Sequence, residues 1–406
     1  MCHPTSADAA GRGLTCPPGP SCGTVKILVT CVRTPEAGAK GDQTRLMAQL
    51  NELAARHELV LVAPRPSDAR LRIELEQLAE VIWFDAGLVR RAAAAMLAAM
   101  RAEPLQVGFM MPRAQWKIAR DRSRAVDVTL ANTSRALRGP FHSALVVDHV
   151  DALSLNMRRR ARGPEALPVR CFARLESALL RRWERRVAGW SRAQVVTAEE
   201  DASALWQCPP PVVIAQGWDP RGEGATARAP KRDIDVIFTG NMRYPPNRAA
   251  VKSVDTEIVP LIRDRHPSLN AWIVGRAAAS LEVRNMQVAS DVPDLGAYLR
   301  RAKIALVPLR GGTGSPNKVL EAARGGAALV ATPEAVRPFG LPAATGTTAA
   351  ELASAVVALL ADPDKRRRLA DAAAGVLPEL SVQTLVGRLE DELARSAGPH
   401  PALAAH

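Results

Sequence analysis

The sequence predicts an α/β protein of two doubly wound parallel-sheet domains that face each other across a cleft. Three observations lead there. The chain has 406 residues, enough for two separate cores. Short apolar runs alternate with amphipathic stretches in both halves. One polar break interrupts the alternation, and beyond it the alternation starts again.

Residues 1–23, "MCHPTSADAAGRGLTCPPGPSCG", lack the apolar stretch of a secretory signal, and their Pro, Gly and Ser content predicts a disordered tail. Val25–Cys31 ("VKILVTC") reads as the first strand, followed by a loop with Gly38 and Gly41 and a helix around Asp42–Arg56. Next come "ELVLVAP", a helical stretch, "AEVIWFD", more helix, "VDVTLAN" and "ALVVDHV". After an Arg-rich helix, "AQVVTAE" and "PVVIAQG" add two short strands. "DPRGEGATARAPKR" (Asp219–Arg232) is polar and aperiodic and reads as a linker. Then "DVIFTG", "AWIVG", "MQVAS", "KIALVPL" and "AALVAT" alternate with helices. The expected division is a first domain over 24–218, a linker over 219–232 and a second domain over 233–379. A terminal helix over 380–396 packs back on the first domain, and 397–406 is a tail.

Composition bounds the function. Hydrophobic residues make up 47% and charged residues 23%, as in a globular protein. The longest apolar run, near Arg91–Met100, is flanked by arginines and reads as a helix, so a cytoplasmic protein is expected. The six cysteines (Cys2, Cys16, Cys22, Cys31, Cys171, Cys208) form no CxxC pair, which argues for free thiols and against zinc. Net charge is +13, and Arg158–Arg192 holds eleven arginines against three glutamates. That surface either faces water or attracts a polyanion: phospholipid headgroups, a phosphorylated acceptor or nucleic acid. Nucleic acid is not expected, because Trp183 and Trp190, seven apart, look like core-facing helix positions rather than stacking platforms. In the helical stretch Arg170–Gly189, Phe172, Leu175, Leu179 and Val187 form a buried or lipid-facing stripe.

Open parallel sheets bind ligands beyond the carboxyl ends of their strands. The loops "GNMRYPPN", "GRAA", "DVPD" and "RGGTGSPNK" all fall at that end of the second domain. In "GGTGSPNKVLEAA", Ser315 reads as an N-cap and Pro316 as the first helical residue. The helix start then offers free N–H groups and a positive dipole end to an anion. Lys318 and Glu321 share one helix face, with Lys318 at an exposed helix start. Lys318 can neutralise a diphosphate, and Glu321 can accept hydrogen bonds from ribose hydroxyls. A capped helix with a solvated Lys–Glu pair explains the same residues, and the pattern alone leaves both open. A P-loop fits poorly, since Asn317 precedes Lys318 and Val319 follows it.

Taken together, "VIFTGNMRYPPNRAAV", "WIVGR", "DVPDLGAYLRRAKIALVPLRGGTGSPNKVLEAARGGAALVAT" and "LSVQTLVGRLEDEL" resemble retaining family-4 glycosyltransferases of the GT-B fold, whose two domains are Rossmann-like. "KGDQTR" and "VVDHVDALSLNMRRRA" in the first half are similar to the subgroup of sugar transferases linked to exopolysaccharide systems. The resemblance implies that Glu321 binds the donor ribose and that Lys318 and Gly314 lie beside the diphosphate. It implies donor-facing positions for Gly240, Asn241, Arg243, Asn247, Gly275, Ser315 and Asn317, and a base-recognising loop through Val292 and Asp294. Gly41 and Asp42 approach the donor phosphate and sugar, while Asp148 and Asp151 face the cleft from the acceptor side. Thr313 stands where many members carry a sugar-binding glutamate. His149, next to Asp148, points to the opposite face of its strand, and His142 is a surface residue.

The implied reaction transfers a sugar from a nucleoside-diphosphate-sugar donor to a sugar, lipid-linked or small-molecule acceptor, with retention. Asp233–Asp235 spells a metal-binding Asp-x-Asp but precedes a strand, and Asp362–Asp364 lies between helices. No metal cofactor is therefore expected, charge neutralisation falling to Lys318, Arg243 and the helix N-terminus. The basic stretch suggests peripheral contact with an anionic membrane surface on the cytoplasmic side. Two alternatives share the sequence features: a GT-B-fold nucleotide-sugar 2-epimerase, which needs no acceptor, and a non-enzymatic basic adaptor at membranes.

Overall fold

The computed structural model describes residues 24–37, 39, 41–85, 87–163, 166–205, 208–218, 231–309 and 316–397. The 1–23 tail, most of the expected linker and the end of the chain lie outside these residues.

The first domain begins with β1 (Lys26–Cys31), α1 (Gly41–Leu53), β2 (Glu58–Pro64), α2 (Ala69–Leu78) and β3 (Glu80–Phe84). Three helices follow before the next strand: α3 (Leu88–Met100), α4 (Leu105–Met110) and α5 (Arg113–Arg122). β4 (Val128–Asn132) and β5 (Ala144–Val150) lead to α6 (Leu153–Arg162) and α7 (Leu167–Trp190). β6 (Ala193–Val196), α8 (Glu199–Ala204) and β7 (Val212–Val213) complete the domain. The strands are parallel, in the order β3-β2-β1-β4-β5-β6-β7. Central strands read as unbroken apolar runs because both faces are covered, and β1 is buried from Ile27 to Cys31.

The second domain repeats the plan with β8 (Ile234–Thr239), α9 (Pro245–Ser253), α10 (Val259–Arg263), β9 (Ala271–Gly275) and β10 (Gln287–Ser290). Then come α11 (Leu295–Arg301), β11 (Ala302–Val307), α12 (Asn317–Arg324), β12 (Ala328–Ala331), α13 (Pro333–Val336) and β13 (Ala344–Thr345). α14 (Ala349–Ala361), α15 (Pro363–Val376) and α16 (Val382–Ala397) end the chain. This parallel sheet runs β10-β9-β8-β11-β12-β13. In both sheets the strand order reverses beside the first strand, between β1 and β4 and between β8 and β11. Those two switch points are where such sheets open a crevice for ligand.

α7 organises the outer layer of the first domain. Trp183 is buried and donates its indole N–H to the Ser134 carbonyl at 3.0 Å, and Trp190 packs edge-on against it. Val187 is buried too, whereas Phe172 and Leu175 lie at the surface, so the expected apolar stripe is divided between core and solvent. Two acidic residues of the Arg-rich segment point inward. Glu176 accepts from the backbone N–H groups of Leu105 and Gln106 at the start of α4, at 3.1 and 3.0 Å. Glu184 accepts from Ser154 N–H at the start of α6 at 3.1 Å, where Asp201 also accepts from Ala152 N–H at 2.9 Å. Neither helix has a capping side chain of its own, so these carboxylates take up N–H groups that would otherwise be buried without partners.

α16 crosses back to pack on α1, β4 and β5, burying Val382, Leu385, Val386 and Leu389. Glu390 pairs with Arg56 and His57 of the first domain, and Gln383 donates to Glu52 at 3.1 Å. At the crossing, Trp218 N–H donates to the Leu380 carbonyl at 3.0 Å and Val382 N–H to the Trp218 carbonyl at 2.8 Å. The two strands of chain that pass between the domains are thus stitched side by side. Among the described residues no helix is long and apolar enough to cross a membrane.

Burial pushes the Glu184 carboxyl up from an ordinary 4.5 to about 7, outweighing the hydrogen bonds from Ser154 that favour the carboxylate. The folded state therefore holds this proton more tightly than the unfolded chain. Its stabilising contribution is full below about pH 4.5 and is lost as pH rises through about 7. Glu184→Gln should gain on the wild type across that window by up to about 1.4 kcal/mol per pH unit, read from urea unfolding curves. Parallel pH profiles for the two proteins would show that the proton is not held at Glu184.

Candidate active site

At the carboxyl edge of the second sheet, β8 and β9 end in contact. Gly240 and Gly275 both adopt positive φ, and a Cβ on Gly275 would lie 1.9 Å from the Gly240 carbonyl oxygen. Only glycine fits there. The chain then turns into α9, whose first turn carries Asn247. The Asn247 amide donates to the Asn241 carbonyl at 2.9 Å, and its Oδ1 accepts from Lys318 Nζ at 2.8 Å. Lys318 Nζ also sits 4.2 Å from the centre of the Phe238 ring. One amine thus ties α12 to α9 across the switch point.

Lys318 corrects the sequence expectation. It is buried, 9% exposed, rather than lying at an exposed helix start. The helix begins at Asn317 with Pro316 at its cap, one residue later than expected. Gly240 makes room for the amine, since a Cβ there would lie 2.9 Å from Nζ. Burial lowers the Lys318 pKa from 10.5 to about 7, although the nearby Glu321 carboxylate raises it. Burial raises the Glu321 pKa, while Lys318 and Arg324 pull it down. Glu321 is nonetheless exposed at the surface. Among the described residues Asn317 Oδ1 is buried with no hydrogen-bond donor, an acceptor at the head of α12. The N-termini of α9 and α12 both open on this edge, so their positive dipole ends converge.

Around the rim, Arg243 is exposed, and its N–H donates to Asn241 Oδ1 at 3.0 Å. Asp291 accepts from Ser290 Oγ and from Ala277 N–H, which lower its pKa, with Arg243 and Arg276 adding to the effect. Arg276 and Asp291 were not singled out from sequence, although both follow strand ends. Val292 packs half-buried against the core. Asp294 caps α11, accepting from Ala297 N–H at 2.9 Å, and pairs with Arg300. Thr313, Gly314 and Ser315 lie outside the described residues.

The first domain contributes a charged cluster at the ends of β1, β4 and β5. Asp42, in the first turn of α1 beside Gly41, pairs with Arg33 at 2.7 Å and lies 4.0 Å from Arg135. Burial lowers the Arg135 pKa to about 10, with Arg33 adding to the drop and Asp42 and Asp151 opposing it. Burial raises the Asp151 pKa to about 7, and Asp201 and Asp42 push the same way against a hydrogen bond from Asn156. Among the described residues Asp151 Oδ1 has no donor. Thr133 and Val150, both β-branched, hold positive φ at the ends of β4 and β5, a strained conformation that turns the chain toward this cluster. Arg33 and Arg135 escaped the sequence reading; the polar "NTSR" after β4 was the signal for Arg135, and "RT" after β1 was the signal for Arg33.

Asp148 does not face the cleft. It is wholly buried, accepting from Arg45 Nε at 2.7 Å, Gln49 Nε2 at 2.8 Å and Val150 N–H at 3.1 Å. It locks α1 to β5 from inside the domain. His149 points the other way, buried against Gln194, and burial lowers its pKa to about 4. Asp233 and Asp235 pair with Arg301 and Lys303 at the opposite edge of the second sheet, and Asp362 caps α15.

Residues 233–362 match the family model described as Glycosyl transferases group 1. A search of curated proteins gives no match. Among solved structures, the chain is similar to Anabaena Alr3699/HepE in complex with UDP-glucose, with a TM-score of 0.58, 14% identity and 91% of this chain and 100% of that chain covered. It is similar to WaaG, a glycosyltransferase involved in lipopolysaccharide biosynthesis, with a TM-score of 0.60, 13% identity and coverage of 91% and 99%. The E. coli trehalose-6-phosphate structure bound with UDP-2-fluoro glucose gives a TM-score of 0.59, 10% identity and coverage of 91% and 99%. At such identities the likeness is one of fold. The chain has the GT-B fold, two parallel-sheet Rossmann-like α/β domains, and its second domain is a glycosyl transferases group 1 domain, that of a glycosyltransferase.

Proposed function

We propose that the protein transfers a sugar, with retention, from a nucleoside-diphosphate-sugar donor to an acceptor hydroxyl in polysaccharide or glycoconjugate synthesis, as a family-4 enzyme of the exopolysaccharide-associated kind. The observation that carries this reading is the desolvated Lys318 amine between two helix N-termini at the switch point of a group 1 domain. That arrangement suits a diphosphate leaving group. Lys318, Arg243 and the N–H groups at the start of α12 stabilise the negative charge that builds on the diphosphate as the bond to the sugar C1 breaks, while α9, which starts on two prolines, adds only its helix dipole. Glu321 and the Asn317 oxygen accept hydrogen bonds from donor hydroxyls. Asp151, with a pKa of about 7, takes the proton of the acceptor hydroxyl as that oxygen bonds to C1 and the C1–O bond to the diphosphate breaks, and Gly41 and Asp42 line the approach. Rotation about the stitched crossing at Trp218 and Ser381 closes the cleft and excludes water. Asp148 holds α1 in place for this rather than touching substrate.

Several of the similar structures hold uridine nucleotides, so UDP-sugars are the first donors to test, in a thermal-shift screen against UDP, GDP, ADP and dTDP. Turnover only with an added acceptor separates transfer from epimerisation. A cytoplasmic site, peripheral to an anionic membrane surface, fits the basic first domain.

Because the Lys318 pKa lies near 7, binding of an anionic diphosphate should draw a proton onto the amine at pH above neutrality. Titration calorimetry in buffers of different ionisation enthalpy should show proton uptake at about pH 8, and UDP affinity should fall up to tenfold per pH unit above 7. Lys318→Gln should abolish both. Uptake that persists in the variant assigns the proton elsewhere.

The two first-domain aspartates should behave differently. Asp148→Ala leaves Arg45 charged and unpaired in the core and should cost about 3–5 kcal/mol of stability. Asp151→Asn should leave the melting temperature unchanged or higher and lower kcat about a hundredfold. A fully active Asp151→Asn would remove it from the mechanism. Transfer should also persist in excess EDTA; loss restored by manganese or magnesium would require metal ligands that the proposed scheme lacks.

A further inference from the structure

The basic stretch of the first domain forms a groove. α6, α7 and α8 enclose about 650 Å³, within the range of small-ligand pockets. Arg158 of α6 and Arg174, Arg181, Arg182 and Arg185 of α7 line it, with Ser154, Leu155 and Ser177 between them. Among the described residues none of these five arginines has an ion-pair partner. The acidic residue on the lining, Glu200, pairs with Arg159 instead. Glu176 and Glu184, the other carboxylates of α7, are turned inward as helix caps. Among the described residues, the glutamates of α7 therefore do not neutralise this face.

From this geometry we infer that the groove binds the phosphate or diphosphate group of the acceptor. Five unpaired guanidinium forks in one concavity match phosphate oxygens in pairs, which lysines or a flat helix face would not do. Among the described residues the lining holds no aromatic side chain, which argues against stacked bases as its ligand. α6 and α8 both start at the carboxyl edge of the first sheet, the edge that carries Asp151, so a phosphate held here leaves the rest of the acceptor directed toward the cleft. The assignment as an acceptor site rests on the proposed transfer reaction; the anion site itself does not.

The probe is inorganic pyrophosphate, titrated with saturating UDP present so that the donor site is filled. Wild type should bind it, and Arg181→Glu/Arg185→Glu should bind at least roughly tenfold more weakly, with unchanged UDP affinity and melting temperature. Equal pyrophosphate affinity in the two proteins, or none in the wild type at low salt, overturns the inference. UDP binding is read separately. Its absence alongside intact pyrophosphate binding sinks the proposed reaction and leaves the groove standing. Flotation with phosphatidylcholine vesicles, with and without phosphatidic acid, identifies the source of the phosphate. Flotation that pyrophosphate reverses supports a lipid-borne group, and pyrophosphate binding without flotation supports a soluble one. Flotation unaffected by pyrophosphate and by the double variant would place anion recognition outside the groove.

Discussion

The desolvated amine of Lys318 is the constraint from which the second-domain site follows. An ammonium taken from water must find acceptors, and here it finds the Asn247 oxygen and the face of Phe238. Meeting them pins the start of α12 to the start of α9 and brings two positive helix ends together. Room for the amine comes from Gly240, whose own turn is permitted by the missing side chain of Gly275. Remove either glycine and the amine loses its seat.

The same physics acts with opposite sign in the facing domain. Burial disfavours charge, lowering an amine and raising a carboxyl, so Lys318 and Asp151 both come to titrate near neutrality. Each can change protonation when a ligand displaces water from the cleft. Asp42, beside Asp151, is held by Arg33 at 2.7 Å.

Much of this was legible in the chain. Strand–helix alternation gives both sheets, and the loops "GNMRYPPN" and "GSPNK" mark the edge where the glycines, Asn247 and Lys318 meet. What escaped depended on partners distant in sequence. Asp148 reads as a cleft carboxylate at a strand end, yet Arg45, 103 residues away, claims it. Glu176 reads as a surface charge in a basic helix until the start of α4, 71 residues earlier, is laid beside it. The depth of Lys318 was hidden for another reason. A helix start is usually wet, and only the backbone path through Gly240 makes this one dry.

The return of α16 to the first domain bears on how the polypeptide comes off the ribosome. Vectorial synthesis normally lets a leading domain finish folding before its successor emerges. Here the surface of α1, with the neighbouring strands, waits for Val382, Leu385, Val386 and Leu389, among the last described residues to be made. The leading half must persist with that apolar face uncovered while the whole of the second half is translated. Completion of both halves is thereby coupled to a single late docking event, and a nascent chain cut short anywhere before residue 382 carries an open face for quality control to recognise.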